Sequence, residues 1–129
     1  MTFEYVKQKD GHLFFLPLCP STNARMGVVR MGSACRQILT KVARNYISTT
    51  ANYLKAIVST KKIKPVDTFK YFDLWFVLPR TNCDAHNYGK ILFDALEVGG
   101  VVTNDKFILP RYQGVSYGKE TMAIVRVPA

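Results

Sequence analysis

Acidic residues are scarce in this chain: nine Asp and Glu stand against eighteen Lys and Arg over 129 residues, a formal charge of +9. Such an excess sets up a positive field that draws polyanions, and nucleic acid is the commonest of these inside cells. Cysteine is also sparse. Cys19, Cys35 and Cys83 form no CxxC pair and leave an odd thiol however they are matched, which suggests neither a disulfide scaffold nor a zinc ribbon and suits a reducing compartment. Long apolar runs are lacking as well. The stretch Leu13 to Cys19 is short, contains Pro17 and follows Glu4, Lys7, Lys9 and Asp10, so it fits neither a signal peptide nor a membrane span. The expectation is a cytoplasmic protein with no membrane partner. No internal repeat or low-complexity segment is visible, and the length suits one domain over residues 1–129 with a real core.

What is present reads as alternating strands and helices. His12 to Leu18 is aromatic-rich and predicts a first strand, broken by the turn-forming Cys19-Pro-Ser-Thr-Asn-Ala-Arg25. From Ser33 to about Ser59, apolar residues recur at helical spacing (Ile38, Leu39, Val42, Tyr46, Tyr53, Leu54, Ile57), which predicts one long helix capped by Ser33 and bent near Ser48 to Thr50. Its polar face carries Arg36, Lys41, Arg44 and Lys55, and the run Lys61-Lys-Ile-Lys-Pro65 follows, a pattern ordinarily found on a solvated face. Val66 to Leu78 predicts a central strand in which Phe72, Trp75 and Phe76 are core residues. Tyr88 to Val98 predicts a second helix stopped by Gly99-Gly100, and Phe107 to Leu109 opens another strand. Gln113 to Gly118 reads as turn-rich, before a last strand over Thr121 to Val127. The expected fold class is α/β (α+β): a single domain with a mixed β-sheet carrying one long and one shorter helix.

Between the central strand and the second helix lies Asp84-Ala-His-Asn-Tyr-Gly-Lys90. A structural explanation is available: Asp84 or Asn87 as a helix N-cap, Lys90 and Asp94 as a surface ion pair four residues apart, and His86 as a polar loop residue. A chemical explanation is also available. Phosphodiester hydrolysis needs oxygen ligands for a divalent cation and a nearby cation for the phosphate or the leaving oxygen. Asp84, His86 and a distant acid, Asp105, would supply the ligands, with Lys90 one turn into the helix. Histidine suits Mn²⁺ better than Mg²⁺, and a Cys83/His86 zinc site lacks further soft ligands.

Asp84-Ala-His-Asn-Tyr-Gly-Lys90, continuing through Phe93-Asp-Ala-Leu96 to Asn104-Asp105, resembles the core of the RusA-type Holliday-junction resolvases, whose pattern is Asp-x-Asp-Asn-x-x-Lys, then Asp-Ala-Leu, then Asp-Asp. Pro20-Ser-Thr-Asn23 with Arg25 resembles that family's Pro-Pro-Ser-x-Asn turn after the first strand. The resemblance implies a basic, Mg²⁺-dependent endodeoxyribonuclease, typical of phages, working as a two-fold homodimer on branched DNA (a four-way junction). It implies that Asp84 and Asp105 bind metal, joined by His86 at the position of the family's second acid, and that Lys90 lies beside the scissile phosphate. Asn23, Arg25, Arg80, Asn87 and Lys106 are the candidate DNA contacts. Two positions depart from the pattern: His86 and Asn104 each stand where the family has an acid, which lowers the expected Mg²⁺ affinity and makes Mn²⁺ an alternative. A non-catalytic binder of branched DNA is the competing expectation.

Overall fold

A computed structural model of the chain describes residues 3–21, 26–31 and 34–129. Asn23 and Arg25 lie outside the described residues. The elements run β1 (Glu4–Gln8), β2 (Gly11–Leu16), β3 (Met26–Met31), β4 (Ala34–Leu39), α1 (Lys41–Thr60), β5 (Lys70–Leu78), α2 (Gly89–Val98), β6 (Ile108–Tyr117) and β7 (Met122–Pro128). Five strands form one mixed sheet in the order β1-β2-β7-β5-β6, and β3 and β4 form a separate two-stranded sheet among the described residues. The β5–β6 pair is parallel, as its connection through α2 requires, and the other pairs of the five-stranded sheet are antiparallel. Pro110 is accommodated because β6 is an edge strand, where a missing N–H breaks no ladder. This is the expected α+β domain with a long and a shorter helix on a mixed sheet.

The two-residue alternation of the strands aims one face at the helices. Phe14 and Leu16 of β2, Phe72, Leu74, Phe76 and Leu78 of β5, and Ala123, Val125 and Val127 of β7 are all buried on that face. Leu54 of α1 and Ile91, Leu92 and Leu96 of α2 pack against them in one cluster. Full burial of each large side chain contributes about 1.5–3 kcal/mol. Trp75 departs from its expected place: it lies on the opposite face, half-buried beside Leu13, Phe15 and Ile124.

Four boundaries differ from the sequence reading. The long helix begins at Lys41, not at Ser33, because Thr40 is its N-cap: the Thr40 hydroxyl accepts from the Ala43 amide (3.2 Å). Residues Ala34–Leu39 are instead a strand, paired with β3 from Met26↔Leu39 to Met31↔Ala34. Ile38 and Leu39 fit a helical period by coincidence, since short apolar pairs satisfy either repeat. The bend expected near Ser48 is not seen, for α1 is continuous to Thr60. Gln113 to Tyr117 belongs to β6, where pairing with β5 overrides the turn propensity of Gly114 and Ser116, although the register does shift at Leu74/Trp75. The central strand starts at Lys70, with Val66 contributing one bridge to Val102.

Gly99-Gly100 ends α2 as expected. The Val101 amide reaches back to the Leu96 carbonyl (3.1 Å) and the Gly100 amide to that of Glu97 (3.0 Å), a closure that needs a left-handed residue between them. Gly100 supplies it at φ 81°. The return places Val101 and Val102 in the core and carries the chain to Asp105. Among the described residues, no helix is long and apolar enough to cross a membrane.

Candidate active site

β5 delivers the chain at Leu78 to Pro79-Arg80-Thr81-Asn82, where the Cys83 amide bonds back to the Arg80 carbonyl (3.1 Å). Asp84 follows in extended backbone and precedes a short 3-10 turn, Ala85–Tyr88, closed by the Asn87 amide on the Asp84 carbonyl (3.1 Å). The Asp84 carboxylate makes no capping hydrogen bond, and Asp84 and His86 are both exposed. The residue that fixes this turn is Tyr88. It is buried against Phe76 (ring centroids 6.3 Å apart), and its carbonyl accepts from the Cys19 thiol (2.7 Å). At Gly89 the helix start comes close to β6: a Cβ there would stand 3.1 Å from the Tyr112 hydroxyl.

Two cysteines flank this anchor in opposite environments. Burial pushes the Cys19 thiol up to about 12. A hydrogen bond from the Tyr88 hydroxyl favours the Cys83 thiolate and holds that thiol below its ordinary value against partial desolvation, with Arg80 adding to the effect. The same bond, together with burial, raises Tyr88 to about 12.

Lys90 brings the separated pieces of the sequence pattern together. Its ammonium lies 2.7 Å from Asp105 Oδ2 and 3.1 Å from Asp94 Oδ1. The hydrogen bond to Asp105 raises the Lys90 pKa first, opposed by desolvation and reinforced by Asp94, so Lys90 is a fixed cation and not a base at neutral pH. Asp105 is positioned through its backbone as well, its amide donating to Glu97 Oε1 of α2 (2.7 Å). Asn104 initiates the turn Asp105–Phe107, its side chain accepting from the Lys106 amide (3.0 Å), a capping task that an aspartate would perform equally. Lys106 is exposed, with its ammonium 5.0 Å from the centre of the Phe107 ring. Arg80 is exposed and Asn87 half-buried.

The donor types suit a divalent cation that prefers oxygen, with His86 shifting the balance toward Mn²⁺. Their placement is looser than the pattern suggests. Among the described residues no group of three or more His, Cys, Asp or Glu side chains is gathered closely enough to hold a metal ion. Asp84 and His86 sit on the turn ahead of α2, whereas Asp105 is turned onto Lys90.

A second charged cluster escaped the sequence reading. Asp73, 4 % exposed, lies on the sheet face away from the helices and accepts from Arg111 (2.7 and 3.2 Å), Gln113 (3.0 Å) and Arg126 Nε (3.0 Å). Its signal in the sequence is an acid inside the apolar run Phe72-Asp73-Leu74, which a strand tolerates only with cross-strand partners. These bonds satisfy Asp73 fully and account for it structurally.

No protein-family model matches the chain, and no curated protein sequence does.

Proposed function

We propose that the chain is a metal-dependent endodeoxyribonuclease that resolves four-way DNA junctions by paired cuts in two opposing strands, acting as a homodimer. The observation that carries this reading is the contact of Lys90 with Asp105: fifteen positions apart in sequence, they meet at 2.7 Å, so the two halves of the resolvase-like pattern share one surface. The +9 charge supports a polyanionic substrate. Asp84, His86 and Asp105 would hold Mg²⁺ or Mn²⁺, which when bound supplies an activated water and neutralises charge on the phosphate. Lys90, kept protonated by its acids, serves the developing negative charge on the phosphate and the leaving oxygen. Arg80, Asn87 and Lys106 flank the same turns and would contact the DNA backbone, together with Asn23 and Arg25. The homodimer rests on the match between a two-fold assembly and a junction with approximate two-fold symmetry.

A second reading, a branched-DNA binder with weak or lost catalysis, is favoured by His86 at an acid's position and by the engagement of Asp105 with Lys90. Incubating an end-labelled synthetic junction and a matched linear duplex with Mg²⁺ or Mn²⁺ separates the two. Junction-specific cuts that disappear in Asp105→Asn are expected. Tight junction binding with no cuts in either metal, and cleavage restored by His86→Asp, would establish the second reading instead.

A further inference from the structure

The end of α1 carries Lys61, Lys62 and Lys64 within four residues, and this turn faces Tyr5 and Lys7 of β1 and His12 of β2 across a cleft of about 390 Å³. The Tyr5 hydroxyl and His12 Nδ1 are hydrogen-bonded to each other (2.8 Å), and burial together with the charge of Lys7 holds the His12 imidazole below its ordinary pKa, so the positive charge presented to the cleft is that of the lysines. All four lysines are exposed, and among the described residues no carboxylate side chain lies within ion-pair distance of any of them. Ala129 closes one end, its carbonyl accepting from Lys70 Nζ outside the cleft (3.3 Å). Four lysines lining one cleft concentrate positive charge there, and one anion with repeated charges meets several of them at once.

The backbone points the same way. Helix α1 closes as α2 does, with the Ile63 amide on the Val58 carbonyl (3.0 Å), and this closure again needs a left-handed residue. Where α2 uses Gly100, α1 uses Lys62 at φ 53°, the only non-glycine residue of positive φ among those described. Glycine is the unstrained choice there, and the chain instead keeps a lysine, one of the residues that line the cleft.

We infer that the cleft of Lys7, Lys61, Lys62 and Lys64 binds the phosphodiester backbone of DNA. It is a second contact, built from β1, β2 and the end of α1, none of which carries a residue of the Asp84–Lys90–Asp105 site; it rests on the nucleic-acid reading above. A run of phosphates engages such a cleft without reading sequence, so it would hold the arm of a branched substrate while the acidic site meets the strand to be cut.

The test compares the full chain, Lys62→Gly, and the triple variant Lys61→Ser/Lys62→Gly/Lys64→Ser for binding to a labelled four-way junction over about 50 to 200 mM salt, without divalent metal. Lys62→Gly is expected to melt at the same or a higher temperature, because it relieves the left-handed strain, and yet to flatten the slope of log affinity against log salt by about 0.9. The triple variant is expected to flatten it by about 2 to 3 and to lose tenfold or more in affinity at low salt. An unchanged slope in the triple variant overturns the inference, as does capture by phosphatidylserine vesicles with no DNA binding. Slopes that change as expected in a protein that cuts no junction would leave the cleft standing and remove the nuclease reading alone.

Discussion

Replacing Asp73 by Asn keeps the shape of the side chain and removes its charge, and the structure sets the size of the effect. In the folded chain the carboxylate joins β5 to both neighbouring strands through Arg111, Gln113 and Arg126, with Arg126 Nη2 a further 2.8 Å contact. Hydrogen bonds to a charged group contribute about 1.5–3 kcal/mol each, but they do not add when they share one acceptor. The two guanidinium groups keep access to water, with side chains 44 % and 36 % exposed, which reduces the penalty of leaving them without their acid. The net expectation is a loss of about 2–3 kcal/mol at neutral pH, or about 8–12 °C in Tm for a chain of this size. Burial opposes ionisation of Asp73, yet the bonds from Arg111 and Gln113 and the charges of Arg111 and Arg126 prevail and hold its carboxyl below the usual value. The unfolded chain therefore takes up this proton at a higher pH than the folded one. The stabilisation is complete above the ordinary carboxylate range and is lost as pH falls through the folded value. Urea unfolding of both proteins from about pH 7 to pH 2 should show a gap that narrows below about pH 4. A difference under about 0.5 kcal/mol at neutral pH, or one that stays constant down to about pH 2, would refute this account of Asp73.

Cys83 should alkylate faster with iodoacetamide than buried Cys19 near neutral pH, as read by peptide mass mapping, and Tyr88→Phe should slow Cys83 by removing the bond that favours its thiolate. Equal rates at Cys19 and Cys83, or no effect of Tyr88→Phe, would contradict the Tyr88 geometry. Thr40→Ala should cost about 1 kcal/mol in urea unfolding by removing the cap of α1, and a cost under about 0.3 kcal/mol would contradict that cap.

Strong local grammar is what made parts of the fold legible. Val66 to Leu78 stood out by its density of aromatic and β-branched residues and Thr121 to Val127 by alternation, and Gly99-Gly100 marked its helix end because a left-handed closure has few other solutions. The helix start was misread because Ser33 and Thr40 are both acceptable caps, and only the pairing of β4 with β3 decides between them. β1 went unseen for a related reason: Glu4-Tyr-Val-Lys-Gln8 shows no two-residue alternation and becomes a strand by pairing with β2. At the site, Lys90 and Asp94 were readable from helix spacing, but the contact of Lys90 with Asp105 depends on how the chain returns past Gly100. The Asp73 network draws on three strands, and its long-range partners leave no short-range pattern in the sequence.

The central claim, that the surface around Lys90 cuts junction DNA, is tested most directly by mapping the products of a fixed four-way junction labelled on each strand in turn, in Mn²⁺. The account predicts cuts at matching positions on two opposing strands, abolished by Asp84→Asn and by Lys90→Ala while both variants still bind the junction. Intact strands with the unaltered chain, or cuts that persist in both variants, would contradict it.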